Sequence, residues 1–268
     1  MIVYYLERKH GMDMLKVSLL VTTYNVKDHL RITLDHITRQ DYRDMEVVIV
    51  DGMSTDGTVD VIQEYAARME QNDSITVRWI SEEDQGLYDA MNKAYRLSTG
   101  DIIAVCNDML YTEDAVSKLV RAIEQCGRSC IGAHADLVYV EGERVVRSWH
   151  MGEGRLRQGW MPGHPTLFLR REIYEKYGLY DNRYRCAADY EFMVRFLKDE
   201  NNRLAYVPEV LVAMFYGGTS NAGLSNYLVS FKESYQALRK NKVKCPFLIT
   251  ALRTFRVLRQ FFNTLTIV

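Results

Sequence analysis

The chain has 268 residues, 47% of them hydrophobic, with a formal net charge of -1. That suffices for one large α/β domain or a domain with an appendage, and the near-neutral balance excludes a globally basic nucleic-acid binder, so no nucleic-acid partner is expected. No apolar run approaches the roughly 20 residues that cross a bilayer, the first ten residues lack a secretory h-region, and Cys106, Cys126, Cys130, Cys186 and Cys245 show no zinc-type spacing. The expectation is a cytoplasmic protein with free thiols.

Residues 1–13 read as an extension, dispensable or a misassigned start, ahead of a first strand over 17–21. Strand and helix patterns then alternate: a helix over 27–39 with Leu30, Leu34 and Ile37 at helical spacing, a strand over 47–50, and a helix over 58–69 with Val59, Ile62, Tyr65 and Ala66 on one stripe. A strand over 75–80, a helix over 88–97, a strand over 102–105 and a helix over 113–125 complete four β-to-α steps. Such a series implies a mostly parallel sheet with right-handed crossovers. Beyond residue 127 the regularity ends. Segments 131–140 and 144–149 read as a hairpin around Glu141-Gly142. The glycine- and proline-bearing stretch 152–165 reads as a mobile loop before a short strand over 166–169. Helices over 171–177 and 188–198 and apolar segments over 204–207 and 210–216 follow.

From Ser234 onward there is no acidic residue, whereas Arg239, Lys240, Lys242, Lys244, Arg253, Arg256 and Arg259 are basic. Pro246 breaks or begins a helix, after which Phe247, Ala251, Phe255, Leu258 and Phe262 form an apolar stripe. Two placements fit this tail equally: against an anionic membrane surface, or docked on the core with a solvated basic face.

The chemistry-bearing loops follow the strands. Thr22-Thr23-Tyr24-Asn25 comes after the first, Asp51-Gly52-Met53-Ser54-Thr55-Asp56-Gly57-Thr58 after the second, Ser81-Glu82-Glu83-Asp84-Gln85-Gly86 after the third and Asn107-Asp108 after the fourth. In an open α/β sheet such loops converge on one crevice, here a polar, carboxylate-lined cleft. Ser54 or Asp56 can cap a helix start. Capping explains Asp56 but not Asp51, which lies before the turn.

These loops, together with Leu87-Tyr88-Asp89-Ala90-Met91-Asn92-Lys93, Gly163-His164-Pro165-Thr166 and Ala187-Ala188-Asp189-Tyr190-Glu191, recur in an order that resembles glycosyltransferase family 2. These are inverting enzymes with the A-type glycosyltransferase fold, and the subgroup resembled extends bacterial cell-surface polysaccharides. The likeness spans residues 16–216. It implies a catalytic body over 14–220, with a nucleotide-binding half over 14–127 and an acceptor half over 128–220, followed by a basic helical tail over 221–268. The resemblance implies that Thr22, Tyr24 and Asp51 hold a nucleoside diphosphate, usually UDP, with Tyr24 stacked near the base and Asp51 on its polar edge, and that Asp84 lies in the same cleft. Asp89 and Asn92 are expected to fix the following helix.

The family places an acidic pair after the fourth strand for a Mg²⁺ or Mn²⁺ ion that stabilises the diphosphate leaving group. Here the segment is one residue shorter and Met109 stands where the second acid belongs, so Asp108 is the one carboxylate left at the metal position. Asp189 matches the family's base, with helix capping as the alternative; Glu191 is a weaker candidate. His164 faces acceptor or phosphate, or is structural. Trp160 or Trp149 serves as a sugar platform, or packs.

The implied activity is transfer of a hexosyl or N-acetylhexosaminyl unit from a nucleotide-sugar donor to a lipid-linked or cell-surface glycan acceptor, with the tail peripheral at the inner face of the cytoplasmic membrane. The alternative is a non-catalytic nucleotide-sugar-binding scaffold of such a pathway. A nucleotidyltransferase or dinucleotide oxidoreductase is disfavoured because no glycine-rich phosphate loop follows the first strand.

Overall fold

The computed structural model describes residues 14–72, 75–216 and 224–263, the side chains of 72, 224–227 and 258–263 excepted. The expected extension over 1–13 lies outside them, as do the 217–223 stretch joining body and tail and the side chains of Leu258 and Phe262.

Strands β1 (Val17–Thr23), β2 (Met45–Asp51), β3 (Thr76–Ser81) and β4 (Ile102–Val105) lie parallel in the order β3-β2-β1-β4. Helices α1 (Lys27–Thr38), α2 (Thr58–Asn72) and α3 (Leu87–Leu97) connect them. Every residue of β1 and β2 is buried, as a parallel strand covered on both faces requires. Alternation divides the side chains. Leu19, Val21, Val47 and Ile49 join a core with α1, α2 and α4 (Ala115–Cys126), whereas Leu20, Val48 and Val50 pack with α3 on the other face. Helix α1 answers with Leu30, Thr33, Leu34 and Ile37 buried at positions i, i+3, i+4 and i+7.

Past β4 the sheet becomes mixed. Strand β8 (Phe168–Arg170) runs antiparallel between β4 and β6 (Cys130–Glu141), and β6 carries its hairpin partner β7 (Arg144–Trp149). Strand β9 (Arg203–Phe215) lies parallel to β6 and pairs antiparallel with the short β5 (Met109–Leu110). The two apolar segments expected over 204–207 and 210–216 are therefore one strand, whose register against β6 shifts around Ala135–Leu137 where Pro208 and Glu209 intervene. Proline has no N–H for the ladder, so the strand bulges there.

Helices α5 (Arg171–Tyr177) and α6 (Ala188–Leu197) cover the α3 face of the sheet. The tail forms α7 (Leu224–Lys240) and α8 (Pro246–Asn263), which add a further layer: Ala237, Leu238 and Ile249 are buried against Leu156, Tyr190 and Val194. Docking is tight at Gly159, where an added Cβ would stand 2.5 Å from the backbone nitrogen of Arg253. The Arg253 guanidinium lies 4.5 Å from the Tyr190 ring centre and donates to Ser234 Oγ. The opposite face of α8 still presents Phe247 (67% exposed), Leu248 (55%), Leu252 (37%) and Phe255 (61%). The tail is thus docked, and one apolar face of it remains outward.

At the other end of the sheet a single buried carboxylate ties three segments together. Glu46 is fully buried and accepts from Ser18 Oγ at 2.7 Å and Thr99 Oγ1 at 3.0 Å, with Lys16 Nζ at 3.1 Å. Burial works to raise its pKa, but hydrogen bonds from Ser18, Thr99 and Lys16 outweigh that and hold it down at about 2. A carboxyl depressed from 4.5 to about 2 contributes stability that is complete above about pH 4.5 and is lost as pH falls towards about 2. Replacing Glu46 by Ala is expected to cost roughly 2–4 kcal/mol at pH 7 and to flatten this acid limb, checked by urea unfolding between pH 3 and 7.

Candidate active site

The site is built where β1, β2 and β3 end in one row. Register pairs Thr23 with Asp51 and Asp51 with Ser81, so their side chains converge. Asp51 is fully buried and its carboxylate accepts four hydrogen bonds: from Thr23 Oγ1 at 3.0 Å, Ser54 Oγ at 2.5 Å, the Ser54 amide at 3.0 Å and Ser81 Oγ at 2.7 Å. The expected place of Asp51 on a base's polar edge therefore requires one of these four bonds to be exchanged.

The loops above this row are stitched to one another. The Asn25 amide donates to Ser54 Oγ, and the Thr55 amide donates to Asn25 Oδ1. Asp56 accepts from Lys27 N at the start of α1 and from Thr58 N and Oγ1 at the start of α2, so one carboxylate serves two helix starts. Tyr24 is left 65% exposed, an aromatic face with no packing partner over most of its area. Tyr24 and Asp84 both close over the backbone of Gly52: a Cβ there would stand 2.6 Å from Asp84 Oδ2 and 3.4 Å from Tyr24 Cδ2. Asp84 is fixed through its other oxygen, which accepts from the Gly86 amide at 2.8 Å.

The loop after β4 is bound to the end of β1 by a two-way contact: the Thr22 amide donates to Asn107 Oδ1, and Asn107 Nδ2 donates to Thr22 Oγ1, both at 2.8 Å. Asp108 follows. It is half-buried, its one protein hydrogen bond among the described residues is a long 3.4 Å contact from the Phe215 amide, and burial pushes its carboxyl up to about 6. Among the described residues no group of three or more His, Cys, Asp or Glu forms a metal cage. A desolvated carboxylate with so little hydrogen bonding fits a one-carboxylate attachment of Mg²⁺ or Mn²⁺, in which phosphate and water supply the remaining ligands.

The residues expected on the acceptor side, Asp189 and His164, lie on the α3/α6 face of the sheet. Asp189, in the first turn of α6, accepts from Tyr88 Oη at 3.1 Å. Burial, with the Asp189 charge beside it, drives the Tyr88 phenol well up, so it stays protonated and donating. Tyr88 packs 5.9 Å, centre to centre, from Tyr180, and Tyr180 Oη lies 2.8 Å from His164 Nε2 and 3.1 Å from Tyr174 Oη. Burial lowers the His164 imidazole, with Asp189 opposing. Asp89 and Asn92 bond along α3 and to the 180–182 loop: Asp89 accepts from the Gln85 amide and Asn182, and Asn92 bonds Tyr180 and Asn182. Tyr88 and Tyr180 did not stand out in the sequence reading; Tyr88 lies inside a quoted motif, and nothing marks Tyr180.

Trp160 stands apart from this cluster. It is 5% exposed, and its indole N–H donates to the carbonyls of Met151 and Gly152, so it pins the 152–163 loop instead of presenting a face to the cleft. The loop expected to be mobile carries two 3₁₀ turns, Leu156–Gln158 and His164–Thr166. Glu191 is spent in a buried network with Arg195, Lys240 and Asn241.

Residues 18–196 match the family model described as glycosyl transferase family 2. The chain belongs to glycosyltransferase family 2. A PGL/p-HBAD biosynthesis glycosyltransferase of Mycobacterium tuberculosis is 33% identical over 216 residues, covering 76% of this chain and 78% of that protein. An uncharacterized glycosyltransferase of Haemophilus influenzae is 23% identical over 238 residues, covering 85% and 77%. Among solved structures, S. aureus TarS 1–349 in complex with UDP-GlcNAc superposes with a TM-score of 0.68 at 17% identity over 94% of this chain and 80% of that one. The mannosyltransferase PcManGT of Pyrobaculum calidifontis, in complex with GDP-Man and Mn²⁺, gives 0.65 at 20% identity over 95% and 74%. These likenesses identify the A-type glycosyltransferase fold, and the family 2 motifs quoted from the sequence are the loops described above.

Two substitutions test this geometry. Gly52→Ala, which meets only the end of the Asp84 side chain and one ring carbon of Tyr24, is expected to change stability by less than about 1 kcal/mol but to weaken nucleotide binding at least tenfold by calorimetry. Asp108→Asn removes a carboxylate whose pKa is raised from 3.8 to about 6. A raised acid costs stability as pH climbs from about 4 to about 6, and the full cost persists above that. The variant is therefore expected to be more stable than wild type by about 1–3 kcal/mol at pH 7.5 and equal to it near pH 4, measured by denaturant unfolding without metal.

Proposed function

We propose that this family 2 enzyme transfers a hexosyl or N-acetylhexosaminyl unit, with inversion, from a UDP-sugar to a hydroxyl of a growing lipid-linked or cell-surface glycan. The observation that carries the reading is the turn from Asp84 to Tyr88, which joins the Tyr24–Gly52–Asp84 cluster to Asp189 within five residues. In this reading one short segment serves both the donor side and the base. The likeness to a PGL/p-HBAD biosynthesis glycosyltransferase and to TarS and PcManGT, whose complexes hold UDP-GlcNAc and GDP-Man, supports a nucleotide-sugar donor.

In this reading Tyr24 stacks on the base, Asp84 and Asp51 accept from its polar edge, and Thr22 lies beside the diphosphate. Asp51 makes its contact by giving up the Ser54 hydroxyl. Asp108 would hold the divalent ion, which when bound neutralises charge on the departing diphosphate. The acceptor hydroxyl attacks the anomeric carbon from the face opposite the nucleotide. Its proton passes to Asp189, the bond from the anomeric carbon to the phosphate oxygen breaks, and the nucleoside diphosphate leaves with the electron pair. Asp189 stands in the first turn of α6, and the Tyr88 hydroxyl orients it. His164, braced by Tyr180, lines the acceptor side.

The outward face of α8 and the absence of acidic residues beyond Glu233 support a peripheral position at the inner face of the cytoplasmic membrane. Among the described residues, no helix is long and apolar enough to cross the membrane.

Calorimetry is expected to show UDP and one UDP-sugar binding in the presence of Mn²⁺, with Asp108→Ala weakening both at least tenfold. Asp189→Asn is expected to lower kcat by roughly 10²–10⁴ while leaving UDP affinity intact, and Tyr88→Phe to shift the acid limb of the pH–rate profile without abolishing turnover. UDP binding with no turnover on any acceptor would instead favour the scaffold reading. For membrane contact, Phe247→Ser with Phe255→Ser is expected to abolish flotation with phosphatidylglycerol vesicles; unchanged flotation would remove that part of the proposal.

A further inference from the structure

A cavity of about 970 Å³ lies between the far end of α6, the start of β9 and the segment joining α7 to α8, and neither Tyr24, Asp51, Asp84 nor Asp189 lines it. Its floor is apolar, with Leu156, Trp160, Leu204 and Ile249. Six cationic side chains and three carboxylates surround that floor. Arg155 and Arg157 are answered by Glu200, and Asp199 is turned into its own loop by Asn201. Lys198, Arg203, Lys242 and Lys244 have no ion pair among the described residues. An independent observation comes from His134 in the same wall: it is 1% exposed, and its Nδ1 has no hydrogen-bond partner. The ring is clamped between Tyr206, stacked at 5.0 Å, and the edge of Trp160 at 5.4 Å. Burial pushes its pKa down to about 4, so at neutral pH it is an uncharged imidazole with an unused polar nitrogen. Leaving such a group unsatisfied costs about 1–3 kcal/mol.

A free phosphate has no use for the apolar floor, and an apolar metabolite has none for four unpaired cations. Both requirements are met by an amphiphile with an anionic head. The chain supplies a further reason: Lys242 and Lys244 are followed, three and four residues beyond Lys244, by Phe247 and Leu248, the first outward-facing apolar side chains of α8. A lipid whose phosphate lies at the lysine rim would have its glycerol and upper acyl atoms over the floor, beside a helix face suited to the same interface. We propose that this groove is a binding site for the phosphate headgroup of a single anionic phospholipid, separate from the transfer site. The inference shares with the proposed function only the membrane position, and it does not depend on the transfer chemistry.

The test uses the full chain with dihexanoyl-phosphatidylglycerol below its micelle concentration, and dihexanoyl-phosphatidylcholine and inorganic phosphate as comparisons, followed by calorimetry and by the ¹⁵N resonances of the Trp160 indole and the His134 ring. Saturable binding of the glycerol lipid that shifts both resonances, at least tenfold tighter than either comparison, is expected. The double variant Lys242→Glu, Lys244→Glu should weaken it at least tenfold with UDP affinity unchanged. Absence of the shifts, or equal affinity for the choline lipid, overturns the proposal. Equal affinity for inorganic phosphate also overturns it, by making the groove a free-anion site. Vesicle flotation separates the two membrane claims: if the double variant still floats and wild type shows no monomer binding, the groove fails while the α8 contact stands.

Discussion

The architecture of the cleft depends on the buried carboxylate of Asp51. Three parallel strands end beside one another, and backbone bonds from Gly52 N to Thr23 O and from Glu82 N to Asp51 O close the ladder, so what remains is to tie the side chains of the three ends together. Asp51 does this with both oxygens. It gathers Thr23 from one neighbouring strand, Ser81 from the other and Ser54 from its own loop. A carboxylate taken fully out of water is tolerated only when its acceptor positions are filled, and here four hydrogen bonds fill them. The consequence reaches beyond the strand ends: Ser54 in turn receives the Asn25 amide, so the loop that presents Tyr24 is fixed through Asp51 as well. The exposed tyrosine face is therefore preorganised, and a planar ligand stacking there need not order the loop first.

The two halves of the site are coupled through the first turn of α3. Asp84, just ahead of the helix, lies over Gly52 while Tyr88, four residues on, donates to Asp189 in α6. Asn92, one further turn along, holds the 180–182 loop through Tyr180 and Asn182, and Tyr180 braces His164. Two side chains of α3, Tyr88 and Asn92, thus position groups from α6 and from the 180–182 loop, by hydrogen bonds made in a partly or fully buried setting, where such bonds are strong and costly to lose. Displacement of α3 would disturb both partners together. In the transfer reading, this rigidity keeps the base within reach of a hydroxyl attacking opposite the nucleotide.

How far the sequence showed this can be traced residue by residue. The four parallel strands and their helices were legible because continuous β-branched runs and 3.6-residue stripes are local signals. Strand β9 was not read as one element, since Pro208 divides its hydrophobic pattern while the backbone bulges and continues. Strand β5 is two residues long and has no periodicity to detect. In the site, motif order placed Tyr24, Asp84, Asp108, His164 and Asp189 in the loops and turns that form the cleft. What motif order could not convey was how each polar group is already spent: Asp51 saturated by its own strand neighbours, Trp160 turned inward to two carbonyls, Glu191 locked into the tail. Those states depend on register and on packing between segments distant in sequence.

The tail shows why composition alone left two placements open. A helix has enough circumference to do both things at once. On α8, Ile249 and Arg253 face the body, Arg253 reaching Tyr190 and Ser234, while Phe247, Leu248, Leu252 and Phe255 occupy the opposite arc. The basic residues are divided in the same way: Arg253 and Lys240 are structural, bonded to the body, whereas Lys242 and Lys244 between the helices carry no ion pair among the described residues. Helix α7 also holds the loop before α6, with Glu233 accepting the amides of Arg185 and Cys186 just ahead of Asp189. Any displacement of the tail is therefore transmitted to the segment that carries the proposed base. That coupling makes the tail part of the support of α6, even though most of the apolar arc of α8 faces away from it.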